Sequence, residues 1–194
     1  QGGAGPTLFS IDKPTGQVSR LGPLFAPDDP RSWSSGEGWY FSATSPNMLY
    51  VHGGADPALV RYDVWSRQSS TVLDLSTQTA LYGANPYVWQ PHSSNDDLVH
   101  SFTVRRNDGS AYPMLGCGVY LEGPRQFRFF PLVSGADGYD ECQVDKSGRW
   151  LVIKEQVDQR NGHDNRVIDL QTGRETVLLD ERGAFALRKS IEDV

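Results

Sequence analysis

The sequence predicts an all-β chain, a β-propeller with about 3.5 four-stranded blades visible. Three observations predict it. No long segment places apolar residues at the helical spacing i, i+3, i+4, i+7. Short alternating or apolar runs dominate instead, each bounded by Gly, Pro, Asn, Asp or Ser, as strands between tight turns are. Those runs recur with a period near 50 residues and four strands per unit, which is the signature of propeller blades.

The elements follow in order. "TLFSIDKPTGQVSRLG", spanning 7–22, reads as two strands around one turn and supplies only the outer half of a blade. The first full unit, about 38–75, contains "WYFSATSPNMLYVHGG" and "ALVRYDVWSRQSSTVLDL". The second, about 87–132, contains "VWQPHSSNDDLVHSFTV" and "GCGVYLEGPRQFRFFPL". The third, about 140–180, contains "DECQVDKSGRWLVIKEQV" and "NRVIDLQTGRETVLLD". Aligned on the first turn, Ser45, Ser94 and Lys146 correspond; at the end of the third strand Asp63, Leu121 and Asp169 do. A remnant, 181–194, offers one short strand or a helical turn. Residues 1–194 are therefore expected to form a single propeller domain. Three closures compete: a four-bladed ring completed by the remnant, part of a larger ring, or a two-chain ring of about seven blades.

The turn residues carry a resemblance. Asp145, Ser147 and Gly148 match part of a Pro-Asp-Gly first turn. Ile168, Asp169, Thr172 and Gly173 match an apolar-Asp-x-x-Thr-Gly third turn, and Ile11, Asp12, Thr15 and Gly16 match it again. In these features the chain resembles the blades of TolB-type and related WD-like bacterial propellers, and distantly the oligogalacturonate-lyase type. The blade around Leu121 departs from the pattern. The resemblance implies the fold, while propellers of this kind serve many functions. Physically, glycine takes positive φ in such a turn without steric cost, and aspartate bonds the turn backbone. Asp12, Asp63 and Asp169 are thus expected to be structural.

Composition narrows the function. Hydrophobic residues are 38% and charged residues 22%, ordinary for a globular protein. The net charge of −6, without a basic run, argues against nucleic-acid binding. No apolar run approaches the roughly 20 residues of a membrane span. The small, polar start "QGGAGPT" fits either a mature end left by signal cleavage or an arbitrary boundary; the expectation is a secreted or periplasmic protein. Cys117 and Cys142 are either a disulfide or two small buried thiols, and with no third ligand nearby they do not read as a zinc site.

Propeller connectivity puts the tight turns on one face and the long connections on the other, and long connections on a rigid scaffold are where sites usually lie. The candidate ligand-binding residues from those connections are Glu37, Trp39, Tyr40, Tyr87, Trp89, Asp140, Glu141, Arg160 and His163. Tyr40, Trp89 and Glu141 are expected at equivalent starts of the innermost strands, near the channel mouth. Aromatic faces stack on sugar rings, and carboxylates accept hydroxyl hydrogen bonds. The competing account makes the aromatics wedges between blades. No catalytic residue, resident metal or other cofactor is assigned; a divalent metal at His92, His163 and Gln90 is the lesser option. His52 and His100 read as packing or surface residues of second strands.

The expected function is extracytoplasmic ligand binding, of a glycan or a peptide, at the long-loop face. Two alternatives stand beside it. One is a polysaccharide lyase or glycoside hydrolase acting on acidic polysaccharide. The other is an assembly scaffold, with a homodimer through the open blade edge. No nucleic acid and no membrane insertion are expected.

Overall fold

Alternating runs become fourteen strands in a computed structural model that describes residues 7–25, 39–52, 57–81, 83, 85–106, 114–132, 141–156 and 163–178. β1 (Thr7–Ile11) and β2 (Val18–Pro23) form a two-stranded half-blade. Blade 1 holds β3 (Trp39–Phe41), β4 (Met48–His52), β5 (Ala58–Asp63) and β6 (Ser69–Asp74). Blade 2 holds β7 (Pro86–Ser93), β8 (Val99–Arg106), β9 (Met114–Leu121) and β10 (Gln126–Pro131). Blade 3 holds β11 (Glu141–Val144), β12 (Trp150–Gln156), β13 (His163–Asp169) and β14 (Glu175–Leu178). Within each sheet the strands pair antiparallel in chain order. Two short 3-10 turns, Leu75–Thr77 and Thr79–Leu81, lead from blade 1 into blade 2.

The outer turns work as the sequence indicates. Asp12 accepts from the Thr15 amide at 2.9 Å, Asp63 from the Ser66 amide at 2.9 Å, and Asp169 from the Gln171 amide at 2.9 Å. Gly16 and Gly173 close their turns at φ 68° and 73°, where glycine costs least. Blade 1 puts Arg67 at that place with φ 59°. Arg67 also donates to the Pro23 carbonyl of the half-blade at 3.1 Å.

Blades 1 and 2 each have a neighbour on both faces, so their strands read as apolar runs rather than strict alternation. The core is three clusters, one per junction. Leu24 and Phe25 of the half-blade pack on Leu49, Val51 and Tyr62 of blade 1. Tyr50, Leu59 and Leu73 of blade 1 pack on Val88, Phe102, Val104 and Tyr120 of blade 2. Cys117 and Val119 of blade 2 pack on Cys142, Val144, Leu151, Ile153 and Ile168 of blade 3. Gly118 is glycine because an added methyl would run into the Phe102 ring. Cys117 and Cys142 are disulfide-bonded across the last junction, with Cα atoms 5.7 Å apart, which settles the choice between bond and free thiols.

The junctions share one register. The Val64, Glu122 and Leu170 amides each bond the first turn of their own blade, to Asn47, Leu98 and Arg149 carbonyls, and so are equivalent. Two residues earlier stand Tyr62, Tyr120 and Ile168, each buried against the preceding blade. At the first turn the structure corrects the sequence alignment. The closing bonds Ser42 to Met48, Ser94 to Val99 and Asp145 to Trp150 make Ser42, Ser94 and Asp145 equivalent, not Ser45, Ser94 and Lys146. Blade 1's turn is one residue longer, and the β7–β8 register breaks between Trp89 and His92, with Gln90 at φ 44°. Tyr40 therefore corresponds to His92 and Gln143, whereas Trp89 and Glu141, opposite Thr103 and Lys154, remain equivalent, so Tyr40 is not level with the other two.

Candidate functional site

Two clusters of chemistry-bearing side chains stand out, one near the tight turns and one near the long connections. The first is at the junction of blades 1 and 2. His100, on β8, is fully buried. Its Nε2 lies 3.3 Å from Glu122 Oε1, and its Nδ1 lies 2.6 Å from the Tyr40 hydroxyl. A carboxylate only accepts, so Nε2 carries the ring proton and Nδ1 accepts from Tyr40. Arg61 of blade 1 completes the chain, donating to Glu122 at 3.1 Å. The Tyr50 ring lies 4.5 Å from His100 and stacks on Tyr40 at 5.1 Å. Burial holds His100 below its ordinary pKa, against the opposing pull of Glu122. Burial, then neighbouring Tyr50, pushes Tyr40 well above its ordinary value, and burial and Glu122 push Tyr50 up to about 12. All three groups stay neutral near pH 7. The cluster is a polar bridge between two blades, in which Arg61 Nε is left without a hydrogen-bond partner among the described residues.

Beside it sits Asp97, in the first turn of blade 2 and buried. Its carboxylate accepts from the Ser42 and Thr44 hydroxyls at 2.5 and 2.8 Å and from the Ala43 and Thr44 amides at 3.1 and 3.0 Å. All four donors belong to blade 1. Ser93 of its own blade adds a fifth at 3.1 Å. Burial opposes the charge, but these bonds outweigh it and hold the carboxyl at about 2. Asp97 has φ 58°, and the equivalent residue of blade 3 is Gly148 at φ 74°. An aspartate thus occupies a place where the repeat prefers glycine, and it spends the awkward backbone on a carboxylate that reaches the neighbouring blade. The sequence reading of His100 as a packing or surface residue did not foresee this bridge, and it made no assignment for Asp97. The departure from glycine at a repeat position was the signal for Asp97.

The second cluster lies where blade 2 meets its long connections. Tyr87 and Trp89 on β7 are half-buried neighbours, ring centroids 6.3 Å apart and edge to face. Arg105, the β8 residue opposite Tyr87, lays its guanidinium over the Trp89 ring at 4.7 Å. Arg105 Nε is buried without a hydrogen-bond partner among the described residues. Trp89 stands opposite Thr103, which stands opposite Cys117, so the aromatic pair shares the sheet face of the disulfide. An aromatic shelf with a cation beside it can bind a flat, partly apolar ligand that carries hydrogen-bond acceptors.

Among the candidate residues from the sequence, Tyr87 and Trp89 are brought together. Trp39 packs at the half-blade junction, edge to face with Phe41 at 5.9 Å. Tyr40 belongs to the His100 bridge at the next junction. Glu141 opens β11, exposed, opposite Lys154. His163 opens β13 opposite Gln156. Glu37, Asp140 and Arg160 lie outside the described residues. Among the described residues no three His, Cys, Asp or Glu side chains gather as a metal site, and no helix is long and apolar enough to cross a membrane.

Comparison with known proteins extends the fold and nothing else. No family model matches the chain, and no curated protein does. A tricorn protease structure aligns at TM-score 0.50 and 13% identity, covering 86% of this chain and 16% of that one. A prolyl endopeptidase aligns at TM-score 0.51 and 14% identity, covering 90% and 26%. A protein from Lactobacillus plantarum aligns at TM-score 0.49 and 15% identity, covering 89% and 47%. This chain spans less than half the length of any of the three. The fold is a β-propeller. At these identities the likeness says nothing about chemistry, and the comparisons do not identify a TolB-type family.

Proposed function

We propose that this propeller binds a glycan or a peptide at the long-connection end of blade 2. The observation that carries the reading is the Tyr87–Trp89 pair with Arg105 laid over the indole at 4.7 Å. Half-buried aromatic rings beside a cation, at strand ends that feed long connections, are the ordinary makings of a ligand shelf. The disulfide between Cys117 and Cys142 favours an oxidising compartment, secreted or periplasmic. For a lyase or hydrolase reading there is less: among the described residues no metal-ligand group gathers, and the grouping of His100, Tyr40 and Glu122 is taken up in the bridge between blades 1 and 2.

The test uses tryptophan fluorescence against a panel of soluble oligosaccharides and short peptides. Wild type should bind at least one class. Trp89→Ala and Arg105→Ala should each weaken that binding at least tenfold, equivalent to about 1.4 kcal/mol, with the melting midpoint nearly unchanged. If both variants bind as wild type does, the site is elsewhere. If both melt far below wild type, the pair is a wedge between blades and the reading fails.

A further inference from the structure

The three blade junctions predict a fourth, which the described residues of one molecule do not make. At each internal junction one residue of the third strand, Tyr62, Tyr120 or Ile168, is buried against the preceding blade. The half-blade has the same register. Asp12 bonds Gln17 as Asp63 bonds Gln68 and Asp169 bonds Arg174, so Ile11 is the equivalent of Tyr62 and Ile168, and Phe9 of Val60 and Arg166. Those equivalents are all buried. Ile11 is 65% exposed and Phe9 57% exposed, and Val18, paired directly with Ile11, is 60% exposed. Three large apolar side chains thus share one uncovered sheet face, which water disfavours.

The other end of the chain holds the complementary face. At the junction of blades 2 and 3, blade 2 presents the cross-strand pair Ser101 and Val119, and Val119 packs in one cluster with Ile168. The equivalent pair on blade 3 is Val152 and Val167, opposite one another on β12 and β13 and turned away from blade 2. Both are only partly covered. Put against Ile11 as Val119 is put against Ile168, they would make an apolar junction in the register the chain already uses.

We propose that two copies of this chain associate head to tail, the outer face of blade 3 on one covering Phe9, Ile11 and Val18 of the other. Both complementary surfaces lie on this one chain, and among the described residues none covers Ile11. That makes a second copy the occupant. The contact is heterologous: two such junctions close a two-chain ring, and otherwise the copies form an open row.

Sedimentation and light scattering at about 100 μM, a concentration that saturates a micromolar interface, test this. Wild type should run as a dimer or larger. Ile11→Glu and Val152→Glu should each run as a monomer, because each spoils one face. Mixed one to one, they should regain a dimer, since each retains the face the other lacks. A monomeric wild type overturns the proposal, whatever else covers Ile11 in a longer polypeptide. Association that survives Ile11→Glu, or a mixture that stays monomeric with both variants folded by circular dichroism, also overturns it. Should Val152→Glu fail to fold, the Ile11→Glu variant decides alone, because that side chain is already exposed.

Discussion

Replacing Asp97 with glycine separates two things the residue does. It removes the carboxylate and keeps the backbone, because glycine is at ease at φ 58°. Four donors from blade 1 and one from blade 2 then lose their acceptor. Hydrogen bonds to a charged acceptor are worth about 1.5–3 kcal/mol apiece in mutational series, but water entering the turn replaces part of them. A second estimate comes from ionisation. The carboxyl falls from 3.8 to about 2 on folding, and at about 1.4 kcal/mol per unit that is about 2 kcal/mol. Both point to a loss of about 2–3 kcal/mol for Asp97→Gly at pH 7. For a domain of this size the melting midpoint should drop by about 4–12 °C. Asp97→Ala should lose a further 1 kcal/mol or so, because alanine pays for the left-handed backbone. Asp97→Asn keeps one acceptor oxygen and tolerates that backbone, and should fall between wild type and glycine.

The pH dependence is a separate check. A carboxyl with a depressed pKa stabilises the fold above its unfolded value of 3.8, and that stability is lost as pH falls towards about 2. Denaturant melts followed by circular dichroism should therefore show wild type losing about 2 kcal/mol over that interval relative to Asp97→Gly. If Asp97→Gly matches wild type at pH 7, or if alanine is no worse than glycine, the account of Asp97 as an inter-blade clamp is refuted.

Two further perturbations probe the other junction contacts. His100→Phe fills the space but strands the Tyr40 hydroxyl and Glu122, and should cost about 2 kcal/mol at pH 7.5 by urea melts. His100 has a depressed pKa, so wild-type stability should decline as pH falls through 6.5, where the unfolded ring takes a proton that the folded ring resists; an unchanged decline between pH 7.5 and 5.5 in the variant would rule this out. Reducing the Cys117–Cys142 bond opens a link of 25 residues, and melts with and without reductant should differ by about 3 kcal/mol on the chain-entropy account; equal midpoints would mean that packing and hydrogen bonds such as Ser101 to the Cys142 carbonyl hold blades 2 and 3 without it.

Much of the fold was legible because turn chemistry is local. Asp12, Asp63 and Asp169 each bond an amide two or three residues on, so a short stretch of sequence contains the whole reason for them. The junction contacts are not local. His100 looks like any strand residue until Tyr40, 60 positions away, is placed on its Nδ1. Asp97 finds its donors 53 to 55 positions away. Tyr40 is out of level with Trp89 and Glu141 for a related reason: one extra residue in a turn and one break in strand register shift which residues are level, and alternation alone does not reveal either. The Tyr87–Trp89 pair survived because both lie on one strand, two residues apart.

The junctions are also unequal. Blades 2 and 3 are joined by a covalent bond, and blades 1 and 2 by a buried carboxylate with four donors from its neighbour. At the half-blade the contacts with blade 1 are apolar packing and bonds to its carbonyls, among them Tyr62 to Leu24 and Arg67 to Pro23, with no disulfide among the described residues. Cohesion therefore falls off toward β1. Blades 1 to 3 form a tightly coupled block, and the half-blade is the piece that can part from it with the least disruption. Opening is therefore expected to begin at β1 and β2, and amide hydrogen exchange there should outpace that in blades 1 to 3.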